Sequence, residues 1–213
     1  MRTYGQYCGL AKALDVVGDR WTLLIVRELL IRGRCRYTDL RDGLPGIATN
    51  LLATRLTELE QNGILRREAA PPPIATTVYE LTPRGAELEP IIEALGRWAG
   101  PLMKAPARQE AFRSHWLALP AQLYLCDRSP KQPPIRIELR TGDQAVTLET
   151  GGGRVRARPG PSQKPDAVLT GSPHQLMGVL MGRVGLGKAR AGGLKFEGSP
   201  TALQRLQPRP QRR

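Results

Sequence analysis

The chain has 213 residues, of which 40% are hydrophobic and 24% charged, and it contains 23 glycines and 19 prolines. This composition is typical of folded globular proteins and excludes a fibrous or wholly disordered chain. The formal net charge is +13, and it lies mostly in residues 106–213, which carry 18 Lys/Arg but only 7 Asp/Glu. Such an excess is a weak indication of an anionic partner.

Few residues of this chain are suited to catalysis or metal binding. Its three cysteines, Cys8, Cys35 and Cys126, contain no CxxC pair, and its two histidines lie far apart. We therefore expect neither an enzyme nor a resident metal or cofactor. We also expect a cytoplasmic protein, because no apolar run approaches the roughly 18 residues of a membrane span and the start lacks the apolar core of a secretory signal.

Helical periodicity dominates the first hundred residues. The spacing of apolar side chains predicts helices over residues 10–17 and 20–31, the second capped by Asp19, with Trp21 and Leu24 on a core-facing side. A short helix over 37–44 and a longer one over 48–62 flank the break at Pro45 and Gly46. The pattern is helix, tight turn, helix.

The longer helix has two unlike faces. Leu52, Leu56 and Leu59 follow helical spacing and predict a stripe that faces the core. The opposite face carries small, uncharged side chains, most of which form hydrogen bonds: Asn50, Ala53, Thr54 and Thr57.

A hairpin and a final helix complete this half. Strands are predicted over 64–68 and 76–81, joined by a connection that contains three prolines at 71–73. Thr82 is a cap for a helix that begins at Pro83 and runs to Leu102, with a bend or a later start expected at Pro90.

This order of elements is that of a winged helix-turn-helix. Over residues 5–103 the chain resembles HxlR-type winged-helix transcriptional regulators, and the positions that carry the resemblance are Cys8, 17–25 (VGDRWTLLI), 36–40 (RYTDL), 44–47 (LPGI), Gly63, 79–82 (YELT) and Trp98. The resemblance implies a nucleoid-associated homodimer, with helices near 7–17 and 86–103 at the interface, on a pseudo-palindromic double-stranded DNA operator. One departure is Ala48, where that family usually has Ser; Thr49 is an alternative cap.

The predicted DNA contacts follow from this arrangement, since a helix in the major groove reads bases while surrounding basic groups hold phosphates. Candidates for base or sugar contact are Thr49, Asn50, Thr54 and Thr57. Candidates for phosphate or wing contact are Arg36, Arg55, Arg66, Arg67 and Arg84. The alternative is a solvated face on a winged helix used for protein contact, and Arg55 could instead brace the domain through Asp39 or Glu58. Cys8 aligns with a thiol-oxidation sensor of some relatives, but it is also a small hydrophobe.

The second half has a different pattern. Alternating runs over 135–140, 146–149 and 154–158 predict strands, followed by a strand at 167–170, a helix at 175–181 capped by Ser172, a strand at 194–197 and a helix at 200–206. These elements predict an α+β domain, an antiparallel sheet covered by helices. Arg154, Arg156 and Arg158 share one strand face, which is either solvated, a second phosphate contact or a site for an acidic ligand.

Residues 166–173 (DAVLTGSP), the helix that ends at Gly182 and 193–198 (GLKFEG) resemble the sterol-carrier-protein fold. That resemblance implies a small apolar ligand, and its candidate cavity residues are Leu176, Met177, Leu180, Met181 and Phe196, for which ordinary core packing is the alternative. The GxxxxGK match at 182–188 lacks the following Ser or Thr of a phosphate-binding loop and is interpreted as a flexible loop.

The sequence as a whole therefore predicts an α+β protein in two domains. Residues 1–105 form a winged helix-turn-helix for DNA binding and dimerisation, residues 106–207 form a sterol-carrier-like regulatory domain, and residues 208–213 form a disordered basic tail. The predicted function is a dimeric transcriptional regulator that responds to an apolar ligand or to thiol oxidation. The alternative is an apolar-ligand binding module.

Overall fold

The computed structural model describes residues 3–69, 76–103, 110–142 and 144–209. Two compact units divide the chain, Met1–Leu95 and Gly96–Arg213. Within the described ranges, every helix is too short or too polar to cross a bilayer. The predicted connection at 71–73 lies outside the described residues.

The first unit is a bundle of helices with a small sheet. Its helices are α1 (Gly9–Val17), α2 (Thr22–Arg32), α3 (Tyr37–Asp42), α4 (Thr49–Gln61), α5 (Pro83–Ala86) and the start of α6 (Glu89–Trp98). Its strands are β1 (Cys35–Arg36), β2 (Leu65–Ala69) and β3 (Thr77–Leu81), antiparallel in the order β1-β3-β2. This is the predicted winged helix-turn-helix, with the two-residue strand β1 as an addition.

The start of α2 differs from the prediction. The helix begins at Thr22 after Trp21, whose φ of 77° is left-handed, so Asp19 does not occupy the cap position. The Asp19 carboxylate pairs instead with the Arg55 guanidinium at 2.7 Å. Leu24, predicted to face the core, is 41% exposed, whereas Ile25 is fully buried.

The last helix of the winged domain is interrupted, as the proline in it predicted. The Thr82 hydroxyl accepts a hydrogen bond from the Gly85 backbone N–H at 3.1 Å and caps α5. That helix ends at Ala86, four residues before Pro90, and α6 starts at Glu89. The break is explained by the proline ring, which clashes with the carbonyl four residues earlier in a continuous helix.

The second unit is α+β. Its helices are the end of α6, two 3₁₀ turns (Gly100–Leu102 and Ser114–Leu117), α7 (Ala118–Tyr124), α8 (Pro173–Leu180), α9 (Leu186–Ala191) and α10 (Pro200–Arg205). Its strands are β4 (Leu125–Asp127), β5 (Arg136–Thr141), β6 (Gln144–Gly151), β7 (Arg154–Pro159), β8 (Ala167–Thr170), β9 (Lys195–Gly198) and β10 (Leu206–Pro208). Five strands form a sheet in the order β7-β6-β5-β8-β9, and β4 pairs with β10.

This architecture confirms the predicted fold class and refines it. The five-stranded sheet is antiparallel except that β5 and β8 run parallel. The elements α7, β4, α9 and β10 were not predicted. Because α9 begins at Leu186, the interpretation of 182–188 as a loop was wrong for residues 186–188, whereas 182–185 lie outside any helix or strand.

The first two residues of the predicted disordered tail, Pro208 and Arg209, are ordered. Pro208 belongs to β10, and the Arg209 backbone N–H donates to the Tyr124 carbonyl at 2.7 Å. Residues 210–213 of that prediction lie outside the described residues.

The two faces of the five-stranded sheet have unlike surroundings. Ile137, Leu139 and Leu148 are buried on one face, as alternation predicted. The other face is partly covered, since Glu138 is buried and accepts the Ser162 backbone N–H at 2.8 Å. The Thr147 hydroxyl on that face donates to the Gly160 carbonyl at 2.8 Å. The charged face is therefore not wholly solvated.

Candidate nucleic-acid interface

Helix α4 presents an uncharged polar face to solvent. Leu52, Leu56 and Leu59 are buried in the first unit, whereas Asn50, Ala53, Thr54 and Thr57 on the other side are exposed. The arrangement is that of a helix anchored by one stripe and free to contact a partner along the other.

Hydrogen bonds within α4 determine which donor and acceptor groups this face presents to a partner. The Thr54 hydroxyl donates to the Asn50 carbonyl at 3.0 Å, and the Thr57 hydroxyl donates to the Ala53 carbonyl at 3.1 Å. With their protons so used, both threonines have oxygen lone pairs and a methyl group available for a partner. The Asn50 carboxamide oxygen accepts the Leu51 backbone N–H at 2.9 Å, and its NH₂ group remains a donor.

The first turn of α4 begins without the expected cap. Ala48 occupies the N-cap with extended backbone angles, and Thr49 is the first helical residue, so the alternative that Thr49 caps the helix was wrong. The Thr49 carbonyl accepts a hydrogen bond from the Tyr37 hydroxyl at 2.6 Å. This bond ties the start of α4 to α3.

Arg55 braces the domain. Its side chain is only 16% exposed, and its guanidinium pairs with Asp19 at 2.7 Å and with Glu58 at 2.5 Å. The bracing alternative is confirmed for Glu58, and Asp19 takes the place of Asp39. A phosphate that contacts Arg55 would have to compete with these two carboxylates.

The wing, which is the hairpin of β2 and β3, carries carboxylates that pair with its arginines, and the sequence interpretation missed them. Arg66 pairs with Glu80 at 2.5 Å and with Glu68 at 3.1 Å. Arg34 also pairs with both glutamates. The hydrogen bond from Arg66 lowers the pKa of Glu80 below its usual value. A phosphate that contacts Arg66 has to compete with these carboxylates, and the opposed register of Arg66 and Glu80 across β2 and β3 is the signal that could have revealed the pairing.

The remaining predicted arginines differ from one another. Arg67 pairs with Glu60 at 3.3 Å. Arg36 and Arg84 are exposed, and neither forms an ion pair with a residue that the structure describes. They are thus the predicted phosphate-contact residues best placed to meet an anion.

A buried ion-pair cluster fixes the helices that precede α4. Glu28 of α2 is fully buried, and its carboxylate pairs with Arg27 at 2.7 Å and with Arg32 at 3.5 Å. A Cβ atom added at Gly43, which ends α3, would overlap the Glu28 carboxylate. The absence of a side chain at Gly43 therefore lets α3 approach α2 closely before the turn into α4.

The cysteines Cys8 and Cys35 have opposite environments. Cys8 is exposed at the N-cap of α1, and hydrogen bonds from the backbone of Ala11 and Leu10 lower the pKa of its thiol. Cys35 is buried in β1, and burial raises the pKa of its thiol to about 12. Since the thiolate is the reactive species, Cys8 is the better nucleophile.

This difference predicts selective alkylation. Iodoacetamide at pH 7 should modify Cys8 at least about tenfold faster than Cys35, because both thiolate population and access favour Cys8. Peptide mass spectrometry over time measures both rates, and the protein unfolded in guanidinium chloride, where the two should react alike, is the control. Equal rates in the folded protein would contradict the assignment.

The predicted cavity residues do not line the cleft described below for the second unit. Leu176 and Leu180 are buried, and Met177, Met181 and Phe196 are half-buried. A cleft of about 420 Å³ lies elsewhere and is mostly polar, lined by Arg128, Ser129, Gln132, Ile135, Asp166, Ser199, Thr201, Ala202, Gln204 and Arg205. At this cleft the Arg205 guanidinium pairs with the buried Asp127 carboxylate at 2.9 Å and lowers its pKa.

The first unit thus has the fold and exposed helix of a winged helix-turn-helix DNA-binding protein. Two family models match the chain: HxlR-like helix-turn-helix over residues 16–106, and the SCP-2 sterol transfer family over residues 131–208. The chain belongs to the HxlR-like helix-turn-helix family. It is accordingly a DNA-binding transcriptional regulator with a C-terminal SCP-2-like domain.

Several relatives are similar in the N-terminal half. An uncharacterized HTH-type transcriptional regulator of Synechocystis, sll1512, is 36% identical over 91 residues, covering 43% of this chain and 67% of the relative. The HTH-type transcriptional regulator YodB of Bacillus subtilis is 33% identical over 90 residues, covering 42% of this chain and 80% of the relative. The solved reduced form of YodB is 30% identical, with a TM-score of 0.41, and covers 48% of this chain and 100% of that one.

Proposed function

We propose that this regulator acts as a homodimer that reads a pseudo-palindromic operator with two copies of α4. The observation that carries the proposal is the exposed face of Asn50, Thr54 and Thr57 on a helix whose opposite stripe is buried. Amide and hydroxyl groups of this size reach base edges in the major groove, and the threonine methyl groups suit contact with thymine. Regulation by binding, with no catalytic step, is part of the same proposal.

Exposed apolar side chains on two helices support the dimer. On α1, Leu10 is 69% exposed and Leu14 is also exposed; on α6, Leu95 and Trp98 are exposed, Trp98 to 74%. Apolar side chains clustered on an exposed helix face indicate a surface that is covered by a partner. These are the helices at which the family resemblance places the dimer interface, and a twofold axis would set the recognition helices about one DNA turn, roughly 34 Å, apart.

Charging this surface should separate the protomers. We expect Leu10→Glu combined with Leu95→Glu, both at exposed positions of the first unit, to halve the molar mass measured by light scattering, because burying two unpaired carboxylates at an interface is costly. Gln144→Glu, an acidic change at an exposed position of β6, is the control and should leave the mass unaltered. A monomer of the unchanged protein at micromolar concentration would contradict the proposal.

Two signals are proposed to control DNA binding. Support for a thiol signal comes from the exposed Cys8, whose thiol pKa is lowered, and from two similar proteins: the redox regulator HypR, solved in its oxidized form, and YodB, solved in its reduced form. The Cys8 thiol would be oxidised by a peroxide, and the resulting charge or cross-link would alter the separation of the two α4 helices. The comparison is operator affinity before and after peroxide in the unchanged protein and in Cys8→Ser; an undiminished response in the variant would overturn this signal.

An apolar ligand in the second unit is the other proposed signal. It is supported by the match to the SCP-2 sterol transfer family. A ligand can control binding only if it has different affinities for the two arrangements of the dimer. Titration of fatty acids or sterols during operator binding tests this idea, and an operator affinity that never moves would reject it. A pure lipid-binding module, the rival function, would instead exchange these ligands and select no operator.

A further inference from the structure

We infer that β7 of the second unit carries a second, sequence-independent contact to DNA. The contact is the arginine row, Arg154, Arg156 and Arg158, and its ligand is the phosphate backbone beside the operator. This inference rests on the proposed function, because it assumes that the protein binds DNA. It assigns binding of the DNA that flanks the operator to β7, a surface separate from α4.

The strand gives the arginine row its geometry. Arg154, Arg156 and Arg158 are exposed and alternate with Val155, which is buried, and with Ala157. Successive side chains on one strand face are about 7 Å apart, so the row spans roughly 14 Å. Each DNA strand has one phosphate per 3.4 Å of helix axis, so this length covers several phosphates. Antiparallel pairing with β6 over all six residues of β7 holds the row in place.

Among the described residues, no carboxylate pairs with the arginine row. None of its guanidiniums forms an ion pair with a described side chain, and the carboxylate opposite Arg156, that of Glu149, pairs with Arg136 at 3.2 Å. Arg154 and Arg158 lie opposite Gly151 and Thr147, which are neutral. The wing is the reverse case, since Glu80 and Glu68 compensate Arg66. A phosphate that meets the arginine row displaces no carboxylate partner, and guanidinium is the side chain that binds phosphate in bidentate geometry.

The backbone of β7 is less available than its side chains. The Ala157 N–H donates to the Gln122 side-chain oxygen at 3.0 Å, and the Gly153 carbonyl before the strand accepts the Asp127 N–H at 3.3 Å. These bonds oppose the addition of a partner strand at this edge of the sheet. Together with the excess of 18 Lys/Arg over 7 Asp/Glu in residues 106–213, they favour a polyanion held by side chains.

The test is the salt dependence of DNA binding by the full chain. The variant R154Q/R156Q/R158Q should bind an operator with long flanks at least about 10–100-fold more weakly at 0.1 M salt. Its slope of log affinity against log salt should be shallower by about 2–3 for each protomer, and hence by about 5 for the homodimer, since each lost phosphate contact removes about 0.9. On a duplex trimmed to the operator, variant and unchanged protein should bind alike, and both should select the same sequence.

A matched control removes the same charge elsewhere in the unit. K188Q/R190Q/K195Q alters three exposed cations, two on α9 and one on β9, the strand at the sheet edge opposite β7. Its slope on long DNA should stay within about 0.5 of the unchanged protein, because charge more than a Debye length from the phosphates is screened. An equal loss of slope in both triple variants would overturn the arginine row as a site, as would an unaltered slope in R154Q/R156Q/R158Q. If R154Q/R156Q/R158Q keeps the salt slope of DNA binding but loses binding to phosphatidylserine vesicles in a flotation assay, the ligand of the arginine row is an anionic lipid surface. That result would also overturn the inference. Failure of the unchanged protein to bind any DNA would overturn the proposed function together with it.

Discussion

Asn50→Ala is expected to lower operator affinity about 10–100-fold, because a lost side-chain contact to a base edge costs roughly 1–3 kcal/mol. Affinity for unrelated DNA should change little, since that binding depends on phosphates. The change also removes a polar residue from the first turn of α4, where alanine favours helix, so misfolding does not explain a loss of specificity.

The measurement is competitive binding of labelled operator against unrelated duplex. Thr54→Val is a second variant, which keeps a methyl group and removes the hydroxyl. It should change the base preference at one operator position more than it changes the affinity for the whole operator. Gln144→Ala, an exposed polar residue on β6, is the control. If Asn50→Ala keeps the ratio of operator to competitor affinity, α4 does not read the bases through this face.

Glu28→Ala is expected to destabilise the first unit by about 3–5 kcal/mol, because it leaves Arg27 with less of the compensation that a buried cation requires. Burial also lowers the pKa of Arg27, as expected for a cation held largely out of water. Urea unfolding followed by circular dichroism measures the effect. Glu87→Ala, an exposed position at the end of α5, is the matched control and should change stability by no more than about 0.5 kcal/mol.

The close approach of α3 to α2 gives this prediction a sharper form. Gly43→Ala should also destabilise the first unit, because its methyl group would overlap the Glu28 carboxylate. In the double variant, Glu28→Ala with Gly43→Ala, the smaller side chain at position 28 makes room for that methyl group. The double variant should therefore lose less stability than the sum of the losses in the two single variants. Strict additivity would show that the carboxylate and Gly43 do not share this space.

Local signals in the sequence predicted much of the fold. The stripe of Leu52, Leu56 and Leu59 is buried as its spacing indicated, and Thr82 and Ser172 cap their helices. These features depend on neighbours within a few positions along the chain. The exposed face of α4 was predictable for the same reason, because it is the complement of the buried stripe.

Contacts between distant segments were not predictable from local signals. The parallel pairing of β5 with β8, and the ion pair of Arg55 with Asp19, join residues about 30 or more positions apart. The pairing of the wing arginines was missed for a related reason. Arg66 and Glu80 are 14 positions apart along the chain and lie opposite each other only because of the hairpin register. Trp21 adopts a left-handed backbone that its residue type disfavours, so no propensity rule would place the start of α2 after it.

Selection of binding sites from random duplex DNA, followed by hydroxyl-radical footprinting, tests most directly whether two copies of α4 read an operator. We expect one enriched sequence with twofold symmetry and two protected patches about one helical turn apart, with the enrichment lost in Asn50→Ala. If no sequence is enriched, or if one protomer protects a single patch, the claim that two copies of α4 read a symmetric operator is contradicted.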